Sequence, residues 1–550
     1  MAGEREPLER DSRLTSTSAV LDEAHVGDIH GAFGTIKLSD VTPRRTWRRR
    51  LLTLAAIIGP GIIVMVGDND AGGVSTYAQA GQNYGYSMLW TLVLLIPVLI
   101  VNQEMVVRLG AVTGVGHARL INERFGRFWG WFSVGDLFIL NFFTIVTEFI
   151  GIGLSAHYFG FSPYIVVPLA ALALIGITLT GNFRRWERAM FVFVIVSLLV
   201  LPLLVMSHPD PGAALKGFLV PGIQGGVTST AILLIIAIVG TTVAPWQLFF
   251  QQSNVVDKRI TPRWLDYEKA DTIIGAFVVV IGAAAIMMAT ASAFTGTKEF
   301  GNFDNALSTA IGFQTHVGPW VGATFALLLF DASIVGGSAV TLATSYAFGD
   351  VFGLHHSLHR RPSEAKVFYG SYAAMVTLAA AITLIPNAPL GLITTAVQAL
   401  AGILLPSATV FLVLLCNDRA VLGPWVNKTW LNILATLIVS VLLMLSLILV
   451  ITTLLPTLDT TKLVIVLGGF MLVALTGAAI WMGLSRSHQT PEPEMSHVEK
   501  ESWRMPALAL LERPAWSAGR KFGMLAMRGY LVVAVVLLIV KAVQLAIGAH

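Results

Sequence analysis

The feature that most constrains this chain is a series of apolar stretches, each about as long as a bilayer is thick. About 20 apolar residues are needed for a helix to cross the hydrocarbon core. The last of these stretches is the weakest, because it contains Lys541 and Gln544. The stretches lie near 51–80, 86–107, 130–159, 163–181, 189–207, 228–253, 271–294, 318–348, 367–386, 390–416, 429–455, 461–484 and 529–547. The sequence therefore predicts an all-α polytopic membrane protein with about 12–13 spans.

The composition supports a membrane location. Only 12% of the 550 residues are charged, whereas soluble domains draw about a quarter of their residues from the charged types. The single cysteine, Cys416, excludes an intrachain disulfide and a CxxC metal site. Because the first 40 residues are polar and acidic, we expect no cleavable signal peptide.

The loop charges predict the orientation of the spans. Cytosolic loops carry an excess of Lys and Arg. Loops on the side of the N-terminus contain sixteen such residues, against three in the opposite loops. The sixteen are Arg108, Arg119, Arg124, Arg127, Arg184, Arg185, Arg188, Lys258, Arg259, Arg263, Lys269, Arg360, Arg361, Lys366, Arg419 and Lys428, and the three are Lys216, Lys298 and Lys462. We therefore expect a multi-pass protein of the cell membrane with a cytoplasmic N-terminus.

The spans also predict a division of the chain. Residues 1–50 have no hydrophobic period and end in a basic run, so we expect a disordered cytosolic tail. The remaining segments are a first five-helix repeat at 51–207, a second, inverted repeat at 228–416, helices 11 and 12 at 429–484, a cytosolic linker at 485–528 and a possible thirteenth helix at 529–550.

Two of the spans are interrupted at their centres. The first contains Gly67-Asp68-Asn69-Asp70-Ala71-Gly72-Gly73, and the sixth contains Gly240-Thr241-Thr242-Val243-Ala244-Pro245-Trp246-Gln247. A carboxylate at the centre of a lipid-facing helix costs about 2.5–3.5 kcal/mol. Unwound backbone at that depth persists only where it lines a cavity or is buried in protein. A single proline or glycine kink is often structural, but two breaks five spans apart indicate a transporter with inverted repeats and a midplane site.

The residues around these breaks resemble the Nramp family of divalent-metal transporters. The resemblance runs from about residue 51 to 455. Asp70-Ala71-Gly72-Gly73 falls on the family's Asp-Pro-Gly-Asn break, and Ala244-Pro245-Trp246 falls on its Met-Pro-His helix. Further matches are Gly59-Pro60-Gly61, Gln79-Ala80-Gly81, Glu148-Phe149-Ile150-Gly151, Gln398, Pro406, Asn417-Asp418-Arg419 and Leu422-Gly423-Pro424-Trp425-Val426-Asn427. The resemblance implies a LeuT-type fold and transport of a divalent metal ion.

Three departures resemble the Nramp-related magnesium transporter branch of this family. Gly73 replaces the family's asparagine, Ala244 its methionine and Trp246 its histidine. A thioether favours softer ions over Mg²⁺, so its loss removes that preference. Gly73 and Ala244 are smaller than the family's residues and are expected to widen the site. Mg²⁺ usually keeps several waters and binds through one or two carboxylates.

The candidate ligands follow from this resemblance and from the breaks. Asp70 is predicted to supply the main charge, Gln398 an amide oxygen, and the helix breaks the freed carbonyls of Gly67 and Ala244. Asp68 and Asn69 are predicted to hold outer waters of the ion, to attract the cation at the mouth of the site, or instead to form a hydrogen-bond network at the break. Mg²⁺ or Mn²⁺ is expected as the transported substrate, with no resident cofactor. The expected partners are this ion and the lipid bilayer, with no nucleic acid and no obligate protein partner.

The residues that resemble the family's proton pathway are altered. Trp246 cannot titrate, and Ile145 stands where the third helix of the family has an aspartate. Glu148 remains, either as a proton acceptor or as a protonated structural group. We therefore expect uncoupled, facilitated uptake by alternating access.

Several alternatives stay open at this point. A proton-coupled Mn²⁺/Fe²⁺ importer of the ordinary Nramp type would carry Met and His in span six. An amino-acid transporter of the same fold would need a free helix N-terminus for the substrate carboxylate. A channel would need a selectivity filter, and an enzyme is not expected. Asp331 in span eight is either functional or part of a polar cluster. His355, His356 and His359 are either metal ligands or part of a solvated basic loop.

Overall fold

The computed structural model describes residues 23–386, 389–455, 458–485 and 495–511, together with residues 525, 529 and 532. This part of the chain is nearly all helical. Its sheet is a two-stranded antiparallel hairpin of β1 (Ile29–Gly31) and β2 (Gly34–Ile36), in which Ile29 pairs with Ile36. The all-α fold class predicted from the apolar stretches is therefore confirmed.

The first half of the chain forms ten helices. They are α1 (Trp47–Ile57), α2 (Pro60–Gly67), α3 (Ala71–Tyr84), α4 (Leu89–Thr113), α5 (His117–Phe125), α6 (Arg127–Tyr158), α7 (Pro163–Thr178), α8 (Phe183–Val196), α9 (Val200–Met206) and α10 (Pro211–Leu219). Short 3₁₀ turns at Gly85–Met88 and Ser197–Leu199 join α3 to α4 and α8 to α9.

The second half and the C-terminal region form eleven more helices within the described residues. They are α11 (Ser229–Thr242), α12 (Pro245–Asp257), α13 (Leu265–Phe294), α14 (Ala306–His316), α15 (Pro319–Phe352), α16 (Lys366–Thr383), α17 (Leu390–Cys416), α18 (Arg419–Leu422), α19 (Thr429–Leu454), α20 (Thr460–Ser485) and α21 (His497–Ser502). Polar side chains fix several helix starts, since an N-cap oxygen accepts an otherwise free backbone N–H. Asn182, Asp210, Thr228 and Asn305 act in this way.

The helices agree with the predicted spans. By length and composition, the described residues contain nine helices that can cross a membrane, or ten if the bent pair α1 and α2 counts as one span. The apolar helix α7 is shorter, at 16 residues. Each of the first twelve predicted stretches lies on one or more helices. The possible thirteenth span, 529–547, lies outside the described residues except for residues 529 and 532.

Spans one and six are both broken where the sequence indicates. Helix α2 ends at Gly67 and α3 begins at Ala71, while α11 ends at Thr242 and α12 begins at Pro245. Proline at the first position of α12 is compatible with a helix start, because that N–H has no partner within the helix. We call residues 68–70 break one and residues 243–244 break six.

A further bend of 53° separates α1 from α2. Gly59 adopts φ 156° there, a conformation that residues with a side chain rarely adopt. Both helix ends at the bend are bound by buried charges. The Lys258 ammonium donates to the carbonyls of Ile57 and Ile58 at 2.6 and 2.9 Å, and Asp271 accepts the N–H groups of Gly59 and Gly61 at 3.0 and 2.7 Å.

The prediction that residues 1–50 form a disordered tail is wrong for residues 23–50. These residues form the β1–β2 hairpin and the start of α1, and Ile29, Ala32 and Ile36 are buried. The hairpin is held by helices that lie far away in the sequence, so its own residues carry little periodic signal. Residues 1–22 lie outside the described part.

Candidate functional site

Break one exposes the N-terminus of α3, and Asp70 caps it. The Asp70 Oδ1 atom accepts the backbone N–H of Gly73 at 2.6 Å. Asp70 is 2% exposed. A carboxylate at a helix N-terminus is stabilised by the free N–H groups and by the positive end of the helix dipole. The residue predicted to carry the main charge therefore lies at the break, deep in the protein.

Glu148 on α6 binds the same helix end. The Ala71 N–H, which in an unbroken helix would donate to the carbonyl of Gly67, donates instead to Glu148 Oε2 at 3.1 Å. The Gly67 carbonyl is thereby released from the helical pattern, as the sequence suggested. Glu148 and Asp70 approach each other across Gly336 on α15. A Cβ atom at Gly336 would lie 2.8 Å from Asp70 Cβ and 2.9 Å from the Glu148 carboxylate.

Gln398 on α17 lies against break one. Its side-chain amide occupies the position where Gly72 would otherwise carry a Cβ atom. The backbone of Gln398 also packs closely on Gly240 of α11. The fold thus brings Gln398 to both broken spans, and its Nε2 atom has no hydrogen-bond partner among the described residues.

Asp68 and Asn69 complete break one. Asp68 is fully buried, and neither of its carboxylate oxygens has a hydrogen-bond partner in the described part of the chain. Asn69 donates through Nδ2 to the carbonyl of Val279 at 3.2 Å. A buried carboxylate without a partner is costly unless it binds a proton or a cation. Asp68 does not fit the alternative of a satisfied hydrogen-bond network, whereas Asn69 fits it in part.

Break six contributes small and apolar groups. The carbonyl of Ala244 accepts the N–H of Gln247 at 3.2 Å, which leaves one lone pair for another donor or an ion. Trp246 is buried, and its ring lies against Gly67, where a Cβ atom would be 3.3 Å from Trp246 Cη2. The predicted residues of the two broken spans therefore meet, with Trp246 beside Gly67.

The space beside Gly73 is closely filled in this state. A Cβ atom at Gly73 would lie 2.7 Å from the Asp68 carbonyl oxygen and 3.0 Å from Thr241 Oγ1. The widening expected from Gly73 and Ala244 stays a prediction. Ile145, which stands at the altered proton pathway, is fully buried.

The sequence did not single out Tyr77, Gly336 or Thr241 as parts of the site. The Tyr77 hydroxyl lies 2.7 Å from Thr242 Oγ1 and so bridges the two broken spans. A small residue opposite an intramembrane carboxylate is the signal that points to the close approach at Gly336.

An open cavity of about 780 Å³ lies at the end of α3 that is remote from break one. Its lining comes from α3, α11, the segment before α14, and the start of α17, and includes Gln79, Asn83, Asp304, Asn305 and Thr395. Gln79 Oε1 accepts the Thr395 hydroxyl at 3.2 Å. Thr395 is about one turn from Gln398 on α17, so this cavity lies near Gln398, on the side predicted to be extracellular.

The arrangement favours oxygen ligands. Among the residues that the structure describes, no group of three or more His, Cys, Asp and Glu side chains is placed to hold a metal ion. A cation at break one would depend on one or two carboxylates, an amide, a backbone carbonyl and water. Mg²⁺ and Mn²⁺ accept such ligands.

Two other candidates have protein partners. Asp331 accepts the Ser197 hydroxyl at 2.7 Å. His356 is 4% exposed and lies 3.0 Å from Asp350 Oδ1, and His359 donates to the carbonyl of Asp257 at 3.0 Å. Burial lowers the pKa of His359. The interpretation of this segment as a solvated loop is therefore wrong for His356.

Two broken spans and a buried carboxylate at one of the breaks are typical of a secondary transporter with discontinuous helices. The sequence model for the Natural resistance-associated macrophage protein-like (Nramp) family matches residues 61–452. The chain belongs to the Nramp family, whose members are transporters, and the predicted LeuT-type fold is confirmed.

Known relatives agree with this assignment. The chain is 26% identical over 426 residues to divalent metal cation transporters MntH of Staphylococcus aureus strains Mu3 and Newman, covering 72% of this chain and 91% of each relative. A crystal structure of the Eremococcus coleocola manganese transporter with an aromatic bis-isothiourea substituted compound has a TM-score of 0.60 and 21% identity, covering 81% of this chain and 98% of that one. A variant of that transporter has a TM-score of 0.62 and 20% identity. This protein is thus a divalent metal transporter of the Nramp family.

Proposed function

We propose that this protein carries Mg²⁺, and also Mn²⁺, into the cell by uncoupled, facilitated transport. The observation that carries the proposal is the set of groups at break one: Asp70 caps α3, the Gln398 side-chain amide lies against Gly72, and the Gly67 carbonyl is released from the helical pattern. All of these groups offer oxygen. Mg²⁺ prefers oxygen ligands and dehydrates reluctantly, so it would bind here with part of its water shell.

The identity of residue 244 supports a hard ion. Ala244 offers only its backbone oxygen, where a methionine would add a soft thioether sulfur. Without that sulfur the site has no chemical preference for softer transition metals over abundant Mg²⁺. Together with Gly73 and Trp246, this residue supports placing the chain in the magnesium-transporting branch of the family.

The membrane potential supplies enough driving force for uptake without protons. Moving one charge inward is worth about 2.3 kcal/mol per 100 mV, so a dication gains about twice that amount. Trp246 beside Gly67 cannot accept a proton, and Ile145 is an apolar residue in the core. We propose a cell-membrane location with the N-terminus in the cytosol, on the basis of the loop charges.

A proton-coupled Mn²⁺ importer is the second candidate, and two observations favour it. The printed names of the relatives are divalent metal and manganese transporters. In addition, Glu148 and Asp70 flank Gly336 at close range. Two carboxylates that approach so closely favour a shared proton or a shared cation, so proton release on metal binding is chemically reasonable.

Uptake into proteoliposomes distinguishes the two candidates. One set of vesicles contains a Mg²⁺-sensitive dye and a parallel set contains a pH dye, with Asp70→Ala as the transport-deficient control. We expect Mg²⁺ entry that increases with an inside-negative potential, competition by Mn²⁺, and no acidification. Mn²⁺ entry accompanied by acidification, without Mg²⁺ entry, would instead establish the second candidate.

A further inference from the structure

The β1–β2 hairpin lies across the ends of several spans on the side of the N-terminus. Its turn is bound to α8 from both sides. The Ala32 N–H donates to Glu187 Oε2 at 2.5 Å, and Arg188 Nε donates to the Ala32 carbonyl at 3.0 Å. One bond thus involves a buried carboxylate, and the other an exposed guanidinium on the same helix.

Glu187 extends this connection to the broken spans. Its Oε1 atom lies 2.6 Å from Lys258 Nζ, and both side chains are almost fully buried. Lys258 directly follows α12, the inner half of span six, and its ammonium also binds the last carbonyls of α1. A continuous set of hydrogen bonds therefore joins the hairpin, span five, span six and the bend in span one.

Apolar packing adds to these polar contacts. Ile29 and Ile36 belong to a cluster that includes Ala56, Val255 and Trp264, which lie on or beside α1, α12 and α13. The strands can approach α1 only because the facing residues of the turn are glycines. A Cβ atom at Gly31 would meet the Ala56 carbonyl oxygen, and one at Gly34 would lie 2.9 Å from Ala56 Cβ.

The loop after span six is bound as well. Arg259 donates through Nε to the carbonyl of Ala24 at 2.8 Å and through Nη1 to that of Asp28 at 3.1 Å. These residues immediately precede β1. The segment from Ala24 to Ile36 thus contacts both halves of the molecule, and separation of those halves would break its contacts.

The covered helices contain buried polar groups without partners. Every residue of α12 is buried, and the side-chain amide of Asn254 has no partner on either atom within the described part of the chain. Both carboxylate oxygens of Glu268 on α13 are likewise without a described partner. Burying such groups opposes closure, so contacts from outside these helices help to hold this end shut. At the opposite end, the cavity beside α3 is open.

We propose that residues 29–36 are an intracellular latch, which holds the inner halves of spans one and six against span five and must detach before the ion leaves. Alternating access in this fold moves one group of helices against the other, and the latch binds members of both groups. The inference rests on the proposed function only in that an ion is released on this side.

The latch can be tested by cysteine accessibility in the full-length protein. Asn254→Cys, made in a Cys416→Ser background, provides a buried reporter on α12, next to Val255, which packs with the hairpin residues Ile29 and Ile36. A membrane-impermeant maleimide is applied from the side of the N-terminus, without metal. Arg188→Ala removes the bond to Ala32, and its matched control is Arg185→Ala, an exposed residue on the same helix. Gly31→Val introduces a clash with Ala56, and its control is the exposed Thr35→Val.

We expect Arg188→Ala to increase the labelling rate about tenfold over Arg185→Ala, the change produced by losing one charge-assisted hydrogen bond that favours the closed state. Gly31→Val should increase it at least as much over Thr35→Val. The latch is refuted if Arg188→Ala labels like its control, even if Gly31→Val labels faster, because bulk alone would explain that result. If Gly31→Val does not fold, Arg188→Ala decides the question.

The outcome is independent of the transported ion, because labelling is measured without metal. Faster labelling combined with an absence of Mg²⁺ uptake would retain the latch and reject the proposed function. Unchanged labelling combined with Mg²⁺ uptake would reject the latch and retain the proposed function.

Discussion

The two broken spans both interrupt the backbone hydrogen bonds of a helix, but they do so with different residues. At break one, three residues separate the helices, and two of them are carboxylates, Asp68 and Asp70. At break six, only Val243 and Ala244 intervene, and neither carries a charge. A break by itself frees backbone groups, but it does not attract a dication. The comparison teaches that the charged residues at the breaks come from the first half of the molecule, whereas the second half contributes only small and apolar residues.

The largest expected effect comes from removing the charge at break one. Asp70→Asn keeps the size and the helix cap but removes the negative charge that we propose binds the ion. We expect Mg²⁺ uptake to fall at least about 100-fold, which corresponds to about 2.7 kcal/mol. The matched control is Asp331→Asn, another buried acid, which should stay within about twofold. Uptake above a tenth of the original rate in Asp70→Asn would contradict the division of roles between the breaks.

The second prediction concerns the softness of the ligands that break six offers to a metal ion. Ala244→Met introduces a thioether, so we expect Mg²⁺ uptake to fall about tenfold relative to Mn²⁺ uptake, a change of about 1.4 kcal/mol. Both uptakes are measured in the same vesicles. Ala244→Leu adds similar bulk without sulfur and serves as the control. An equal change of selectivity in both variants would show that size, and not ligand softness, matters here.

A smaller effect is expected from the group that joins the two breaks. Gln398→Ala removes the amide beside Gly72, and we expect the apparent Mg²⁺ affinity to fall about fivefold, equivalent to about 1 kcal/mol. Thr394→Ala, one turn away on α17, is the control, because its hydroxyl bonds to its own helix at Leu390. Titration of the initial uptake rate with Mg²⁺ measures both. Equal affinities would remove Gln398 from the site.

The smallest effect concerns stability. Tyr77→Phe removes the hydroxyl that bonds Thr242 across the broken spans, and should lower the free energy of unfolding by about 1 kcal/mol. Tyr372→Phe is the control, since the buried Tyr372 hydroxyl has no hydrogen-bond partner in the described chain. Thermal unfolding in detergent measures both variants. A lower melting temperature for Tyr372→Phe than for Tyr77→Phe would show that the bridge adds nothing.

Much of the fold and the positions of the breaks were predictable because bilayer burial imposes a strong, local signal. Apolar length predicted the stretches on which the long apolar helices lie, and carboxylates beside glycines predicted break one. The positions of Asp70 at break one and of Gln398 against Gly72 followed from the break and from the family resemblance. These inferences needed only residues that have a high free-energy cost when they are placed at membrane depth.

The hairpin and the bend at Gly59 could not be predicted in the same way. The strands of the hairpin are three residues each, too short for a clear alternation. Their stability depends on Glu187, which is 155 residues from its partner Ala32 in the sequence. Likewise, the sequence predicts that Lys258 is a cytosolic loop charge. Nothing in the sequence indicates that its ammonium binds the carbonyls at the end of α1. Contacts at such distances depend on the completed fold.

The bend at Gly59 and break one together isolate α2 as a rigid rod of eight residues, about 12 Å long. Its start is held by Asp271 and its end is free of α3, so it can tilt without losing its internal hydrogen bonds. A rotation of about 20° about Gly59 would displace Gly67 by about 4 Å, roughly twice a Mg²⁺–oxygen bond. Under the proposed function, a small tilt of this rod would thus be enough to replace a protein oxygen on the ion with water.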